Sequence, residues 1–506
     1  MSSWPANIHR ALAGWAAAGL LLTVPASAGF PAKNVSLYAH LSVQDLNAEF
    51  AEDCWGYLSP SGREYAIIGL STGTGFVEIT APANPVIVAV MMQPNRGRDM
   101  KVYQSYVYSS SDSGPTHVYD VSDIDNGVIT HVRSFDQGAH NLAVDEVSGF
   151  LYLAVGGPMH VYDLSDPSDP TFVGTWPGQT HDAQVVTYTE GPYAGLQIAF
   201  VFAGWDGRLD IVDVTDKTNM FLVGQTSYPS PGYTHQGWLT ADRQYLYVSD
   251  EVDNIARTTI IDVSDLGNPT FIRDFTTGLP STDHNLYVHN GLIFEANYTS
   301  GLRVFAACDP VNPVEVGFFD TYPANDDPGF SGAWSSYPFF PSGTVIVSDR
   351  SGGLFVLDVS AALAAGMCAP LTGACCFGDG SCTVETSGDC NTLGGSYQGD
   401  GSNCSPNNCP EPPGPPSDIT GPLGVPDGCV DAFDLGAMFG AWCTGVNDPI
   451  PPSPPCENCT PANLALADIS GVANVPDGCV DAFDLAKLLA KWCSVAGGNP
   501  CGTCFP

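Results

Sequence analysis

The sequence predicts a mainly β chain built on a seven-bladed β-propeller, and three observations carry that expectation. The first is a phrase in which an apolar-alternating strand stops at an Asp-Pro turn. HVYDLSDPSDP runs from His160 to Pro170, with copies at Thr116–Asp123 (THVYDVSD), Leu209–Asp216 (LDIVDVTD) and Thr259–Pro269 (TIIDVSDLGNP). A degenerate copy, LRVFAACDPVNP, runs from Leu302 to Pro313; GFVEITAPANP (Gly75–Pro85) opens the series and GLFVLDVS (Gly353–Ser360) closes it. The second is spacing: the aligned positions Glu78, Asp120, Asp163, Asp213, Asp262, Ala306 and Asp358 lie 42, 43, 50, 49, 44 and 52 residues apart. The third is a missing strand. After each Asn-Pro or Asp-Pro turn a strand follows, as in Asn268-Pro269-Thr270-Phe271-Ile272, but after Ser360 the chain turns Ala-rich and leaves. The stretch Val35 to Leu41 resembles that strand, so the N-terminal segment is expected to complete the last blade and close the ring.

Other features divide the chain. A short polar start (His9, Arg10), an apolar run from Ala11 to Val24 and then Ala26-Ser27-Ala28 read as a secretory signal over 1–28. The run is too short and Ala-rich for a membrane span, and no later stretch reaches the length one needs. With 54 acidic against 16 basic residues the net charge is −38, which makes nucleic acid and anionic lipid poor partners. Of 17 cysteines only Cys54 and Cys308 precede residue 360, so a thiol-poor body carries a disulfide-rich tail, as in an oxidising compartment. The expected domains are the signal at 1–28, the propeller at 29–365, a Cys-rich module at 366–410, a stiff Pro-rich linker at 411–417 and a repeated unit at 418–506.

Within the propeller, each unit has an innermost strand that begins at a polar pair. These pairs are Arg98-Asp99, His140-Asn141, His181-Asp182, His235-Gln236 and His284-Asn285, and the first and last units hold Trp55 and Trp334 at the matching place. Imidazoles at equivalent positions would line one mouth of a central channel. They could bind a ligand or a transition metal, or simply bond between blades. Arg98, Asp99, His140, His181, Asp182, His235, His284, Trp55 and Trp334 are therefore the candidate binding residues. No nucleophile-elbow, zincin or phosphate-loop motif is present.

The phrases Cys54-Trp55-Gly56, Arg98-Asp99-Met100-Lys101-Val102, Tyr233 to Thr240 (YTHQGWLT), Asp283 to His289 (DHNLYVH) and Gly332-Ala333-Trp334 resemble the choice-of-anchor B family, built of LVIVD-type repeats. The resemblance implies an exported propeller attached to cells by a C-terminal device. It implies no agreed enzymatic activity.

In the tail, Cys368 matches no pairing pattern, and Cys375, Cys376, Cys382, Cys390, Cys404 and Cys409 admit fifteen connectivities. Beyond the linker a unit is repeated at an interval of 50 residues: VPDGCVDAFDL at Val425–Leu435 and again at Val475–Leu485. The spacing Asp-Gly-x-x-Asp-x-x-Asp fits positions 5, 6, 9 and 12 of an EF-hand loop. It makes Asp427, Asp431, Asp434 and the carbonyl of Cys429, with Asp477, Asp481, Asp484 and that of Cys479, ligands for two Ca2+ ions. Asp418 and Asp468 are candidate first ligands, although five extra residues separate them from the loop. A helix follows each loop on the spacing of Leu435, Met438, Phe439 and Trp442, and of Leu485, Leu488, Leu489 and Trp492. The pair resembles a dockerin of the Gly-Cys variety used as a C-terminal anchor. The four cysteines of each copy (Cys429, Cys443, Cys456 and Cys459; Cys479, Cys493, Cys501 and Cys504), with a Cys-x-x-Cys in each, are expected to form disulfides rather than zinc sites.

The functional expectation is a non-catalytic binding or interaction module, secreted or held at the cell surface, with a surface receptor for its tail and an unknown ligand for its propeller. The alternative is a secreted hydrolase or lactonase, of the kind that works on polysaccharide, at the channel mouth near Asp250, Glu251 and Asp253.

Overall fold

In the computed structural model the described residues are 29–252, 257–368, 372–378, 380–399, 401–405 and 409. The signal segment, the linker, the repeated calcium-loop unit (Asp418 to Asp434, Asp468 to Asp484) and Asp253 lie outside them. The chain divides into two units, 1–368 and 369–506.

Among the described residues the first unit is mainly β, with few helices, and its strands form seven antiparallel sheets. Sheet I is Ala51–Leu58, Glu64–Leu70, Gly73–Glu78 and Val86–Met92; sheets II to V repeat this order of inner, second, third and outer strand. Sheet VI (inner strand Asn285–His289) gains a fifth strand, Ala32–Lys33, at its outer edge. Sheet VII has Ala333–Tyr337, Thr344–Asp349 and Gly353–Asp358, and its outer strand is Ser36–Leu41 from the N-terminus. The expected completion of the last sheet is therefore present, with Leu37 opposite Leu357 and Leu41 opposite Leu354.

Each sheet is blade-like because its second and third strands are buried on both faces. Successive side chains alternate between two different cores rather than between core and water. Phe200 faces Leu246 and Ile261 of sheet V, whereas its neighbours Ala199 and Val201 face Tyr152 and Val161 of sheet III. Seven apolar clusters lie between successive sheets in this way, and one of them joins sheet VII (Ile346, Val356) to sheet I (Ile68, Val77). The inner strands follow the same cyclic order, each beside the next, with that of sheet VII beside that of sheet I.

The recurring Asp now has a physical reason. Glu78, Asp120, Asp163, Asp213, Asp262, Ala306 and Asp358 each end a third strand. Five of the carboxylates accept the backbone N–H two residues on: Ser122 at 2.8 Å, Ser165 at 2.6 Å, Thr215 at 2.8 Å, Ser264 at 2.9 Å and Ser360 at 2.9 Å. These Asx turns satisfy the backbone where the ladder stops. Each outer strand then skips one residue against its partner, a bulge that sharpens the twist a blade needs. The skipped residue is Val88, Val132, Val173, Val223, Ile272, Val316 or Tyr38. Gly174 and Gly224 follow two of these bulges; a Cβ at either would meet the carbonyl of Lys217 or Leu266 within 2.2 Å, so the turn of the next sheet seats on bare backbone.

The chain does not leave after Ser360. Ser360–Gly366 is a short helix whose Ala362 and Gly366 pack on Gly317, Leu292 and Ala306 of sheet VI. Cys368, for which the sequence offered no partner, is bonded to Cys308. In the second unit Thr372–Cys376 pairs with Cys382–Thr386 and Ser396–Tyr397, and the disulfides are Cys375–Cys390, Cys376–Cys409 and Cys382–Cys404. Among the described residues no helix is long and apolar enough to cross a membrane.

Candidate functional site

An inner strand has an open edge, and its polar side chains tie it to the neighbouring inner strand. Asp99 Oδ2 accepts the N–H of Leu142 at 2.6 Å, Gln184 that of Leu239 at 2.8 Å and Gln236 that of Leu286 at 2.8 Å; Asn141 donates to the carbonyl of His181. The residues just before these form a ring around the axis. His140, His181, His235 and His284 stand side by side, with ring centroids 4.7, 4.3 and 4.2 Å apart in succession. Trp334 continues the arc 4.5 Å from His284, and the Arg98 guanidinium lies 4.4 Å over Trp334. Arg98 also reaches His140 Nε2 at 2.6 Å and Glu52 at 3.3 Å, which closes the circle.

Glu52 therefore takes the histidine place in sheet I, and the assignment of Trp55 to that place is corrected. Trp55 lies three residues farther along its strand, level with Lys101, Trp238 and Tyr287. Its ring is 5.8 Å from Tyr287 and carries the Lys101 ammonium at 4.4 Å. Sheet V enters its inner strand through the same bulge, between Thr234 and Gly237 as between Ala51 and Cys54, so Glu52 and His235 are equivalent and the two sheets differ in residue type, an acid standing where the other has an imidazole.

Between these levels sits a buried charged cluster. Lys101 Nζ donates to Asp99 Oδ1 at 2.6 Å, and Asp53 and Asp182 are its next carboxylates. Burial, with Asp99 adding to it, pushes the Asp53 carboxyl up to about 7. Burial likewise raises Asp182 well above the usual range, although part of its surface is open. Burial works against the Lys101 charge, but the surrounding carboxylates outweigh it and hold the ammonium above its ordinary value.

The imidazoles are mostly held by protein groups. His181 Nδ1–H donates to the carbonyl of His235 at 2.8 Å and His284 Nδ1–H to that of Trp334 at 2.5 Å. His140 donates from Nδ1 to Asp112 at 2.8 Å and accepts from Arg98 at Nε2. Burial holds His181, His235 and His284 well below the ordinary imidazole value, so they are neutral at pH 7. Asp112 is held well below the usual carboxylate range; burial opposes this, and His140, Arg98 and Arg96 prevail.

Several site residues come from the turns between second and third strands, of which the sequence pointed only to Glu251, in the acidic group expected at the channel mouth. Asp112, Trp205, Glu251 and Tyr298 all lie in or beside such turns. A cleft of about 300 Å³ opens at this end, lined by Asp112, His140, Gln179, His181, Trp205 and Tyr233 among others. Trp205 is 71% exposed, and its ring stands edge-on to Tyr233 at 4.8 Å. The Tyr233 loop is fixed by Asp250, which accepts the N–H groups of Gly232 at 2.7 Å and Tyr233 at 2.6 Å. The two described members of the acidic group thus part company: Asp250 is a buried anchor, and Glu251 faces His235 and His284.

With this geometry in place, the comparisons with known proteins are informative at the level of the repeat. The LVIVD repeat family matches residues 138–176, 199–227 and 241–277, which fall in sheets III, IV and V. The chain contains LVIVD repeats. No curated protein matches the chain. Among solved structures, a protein from Lactobacillus plantarum is similar at 14% identity and a TM-score of 0.44, over 55% of this chain and 84% of its own. The mitotic checkpoint complex includes a chain similar at 13% identity and a TM-score of 0.44, over 64% of this chain and 93% of its own.

Proposed function

We propose that this protein is an exported, non-catalytic binding module: a seven-bladed propeller closed by its N-terminal strand and displayed through a calcium-binding, dockerin-like tail. The observation that carries the reading is the cleft, where an exposed Trp205 backed by Tyr233 stands beside Asp112, Gln179 and His181. Aromatic faces take the C–H surface of a ligand while nearby acceptors and donors take its hydroxyls. With a net charge of −38, a neutral, hydroxyl-rich ligand such as an oligosaccharide fits better than an anion. Export is supported by the signal-like N-terminus and by the disulfides of the described residues.

Intrinsic tryptophan fluorescence should change saturably with at least one of cellohexaose, xylohexaose and chitohexaose, and Trp205→Ala should weaken that binding at least tenfold. No saturable change with any of the three would overturn the saccharide reading. Cleavage products in the same mixtures would favour the hydrolase alternative.

For the tail, Asp427, Cys429, Asp431 and Asp434, with Asp477, Cys479, Asp481 and Asp484, supply the hard oxygen set that calcium prefers, and Asp418 and Asp468 are candidate additional ligands. At free calcium near 100 times the dissociation constant, binding adds about 2.7 kcal/mol per site. Calorimetry of the full chain should show a transition that moves up with calcium and down with chelator, and Asp434→Ala should remove about half the shift. Superimposed traces would reduce these loops to acidic turns.

A further inference from the structure

Glu251 projects between two histidines that the hydrogen-bonding pattern leaves incomplete. Its Oε2 is 3.7 Å from His235 Nε2 and its Oε1 is 3.6 Å from His284 Nε2, and the two imidazole centroids are 4.2 Å apart. One ligand atom from each of the three residues lies within 4.8 Å of the others. These separations are too long for hydrogen bonds. Two ligands each about 2.1 Å from one tetrahedral ion stand about 3.4 Å apart, close to what is observed.

Proton accounting points the same way. His284 spends its Nδ1 proton on the Trp334 carbonyl, so its Nε2 carries a lone pair, is fully buried and has no hydrogen-bond partner. That lone pair faces a carboxylate oxygen, an arrangement of two acceptors that a cation reconciles. A ligating histidine whose other nitrogen donates to a backbone carbonyl is the usual outer support of a metal site. The carboxylate is also aimed: Tyr298 donates its hydroxyl to Glu251 Oε1 at 2.8 Å. Tyr298 does so from a left-handed backbone (φ 38°), pinned by paired hydrogen bonds with Ala333. Gly332 admits this approach, because a Cβ there would sit 2.1 Å from the Tyr298 carbonyl oxygen. Strained backbone of this kind persists where the surroundings over-determine it. His235 Nδ1 has no protein partner, and a water is the group that would complete it. Of the two guanidinium groups that act on Glu251, Arg98 is already matched by Glu52 at 3.3 Å and Asp112 at 3.9 Å, and Arg350 lies over the Phe50 and Trp334 rings.

We infer that His235, Glu251 and His284 form a binding site for one divalent transition-metal ion, with Tyr298 as a positioning residue and an open coordination position. Two imidazoles and one carboxylate are a set suited to zinc or iron(II), not to calcium. The inference stands on these three residues and does not depend on saccharide binding.

The test uses the full chain, stripped with chelator and reloaded with zinc or cobalt(II). Elemental analysis after desalting should find one equivalent of zinc more in the unmutated protein than in Glu251→Gln or His284→Gln. Tyr298→Phe should bind zinc at least tenfold more weakly, and Trp205→Ala should keep the full equivalent. Cobalt should give visible d–d bands, lost in Glu251→Gln, without the thiolate charge-transfer band a cysteine site would add. Near-UV circular dichroism checks folding; Glu251→Gln, isosteric and able to keep the Tyr298 bond, decides the matter if His284→Gln does not fold. Equal metal in the unmutated chain and Glu251→Gln, or none in either, overturns the inference.

Discussion

Deleting residues 29–42 is expected to lower the thermal midpoint of the whole seven-sheet unit by on the order of 10 °C, measured by calorimetry of chains beginning at residue 29 and at residue 43. The deletion removes the outer strand of sheet VII, which pairs along Ser36–Leu41 with Gly353–Asp358. It also removes Phe30, whose ring lies 5.6 Å from Phe319 and 5.3 Å from Phe355, and Asn34, which donates to the Val316 carbonyl at 2.7 Å. Ladder hydrogen bonds contribute about 1 kcal/mol each, and the lost apolar burial at Val35, Leu37 and Leu41 adds a comparable amount. The third strand of sheet VII would become an unpaired edge open to aggregation. Because the clusters on both sides of sheet VII share its residues, the loss should spread as one cooperative shift. An unchanged midpoint, or a separate small early transition with the main one unmoved, would contradict closure by the N-terminal strand.

Replacing Lys101 by Met should cost about 3–5 kcal/mol at pH 8, because removing one partner strands buried opposite charge. Asp99, Asp53 and Asp182 surround the ammonium, and the Tyr287 ring borders them. The pH dependence has a definite sign. The Asp53 carboxyl is raised from 3.8 to about 7 in the folded protein, so across that interval the native state keeps a proton that the unfolded chain has released. Its contribution to stability is complete at the acid end and is lost as pH rises toward 7. Without Lys101 the cost of ionising Asp53 and Asp182 grows, so the variant should lose more at pH 8 than at pH 5. Urea unfolding at the two pH values checks this. A loss below 1 kcal/mol, or the same loss at both, would remove Lys101 from its keystone position.

Much of this architecture was legible because the repeat carries its own turn chemistry. The Asp that ends five of the seven third strands announces an Asx turn, and the missing seventh outer strand pointed to Val35–Leu41. The axial histidines were legible too, since a repeat period places equivalent residues at equivalent depths. What the sequence hid depends on departures from the repeat. Glu52 was hidden because an acid stands there instead of the imidazole of the equivalent His235, although both inner strands bulge alike. Glu251 was placed at the channel mouth, but it and Tyr298 sit in turns that differ between copies, so no alignment of repeats pairs them with His235 and His284. The Cys308–Cys368 pairing spans 60 residues, and only the return of the Ser360–Gly366 helix over sheet VI reveals it.

That last bond also determines how the protein meets a mechanical load. A pull arriving through the tail enters the first unit at Cys368, from where the covalent path runs to Cys308, just past the third strand of sheet VI. The Ser360–Gly366 helix and the third strand of sheet VII are thereby shunted out of the line of force. Without the cross-link the same pull would unzip Gly353–Asp358 from its neighbours one hydrogen bond at a time. With it, tension passes directly to Cys308, and the seam where Ser36–Leu41 pairs with Gly353–Asp358 stays slack.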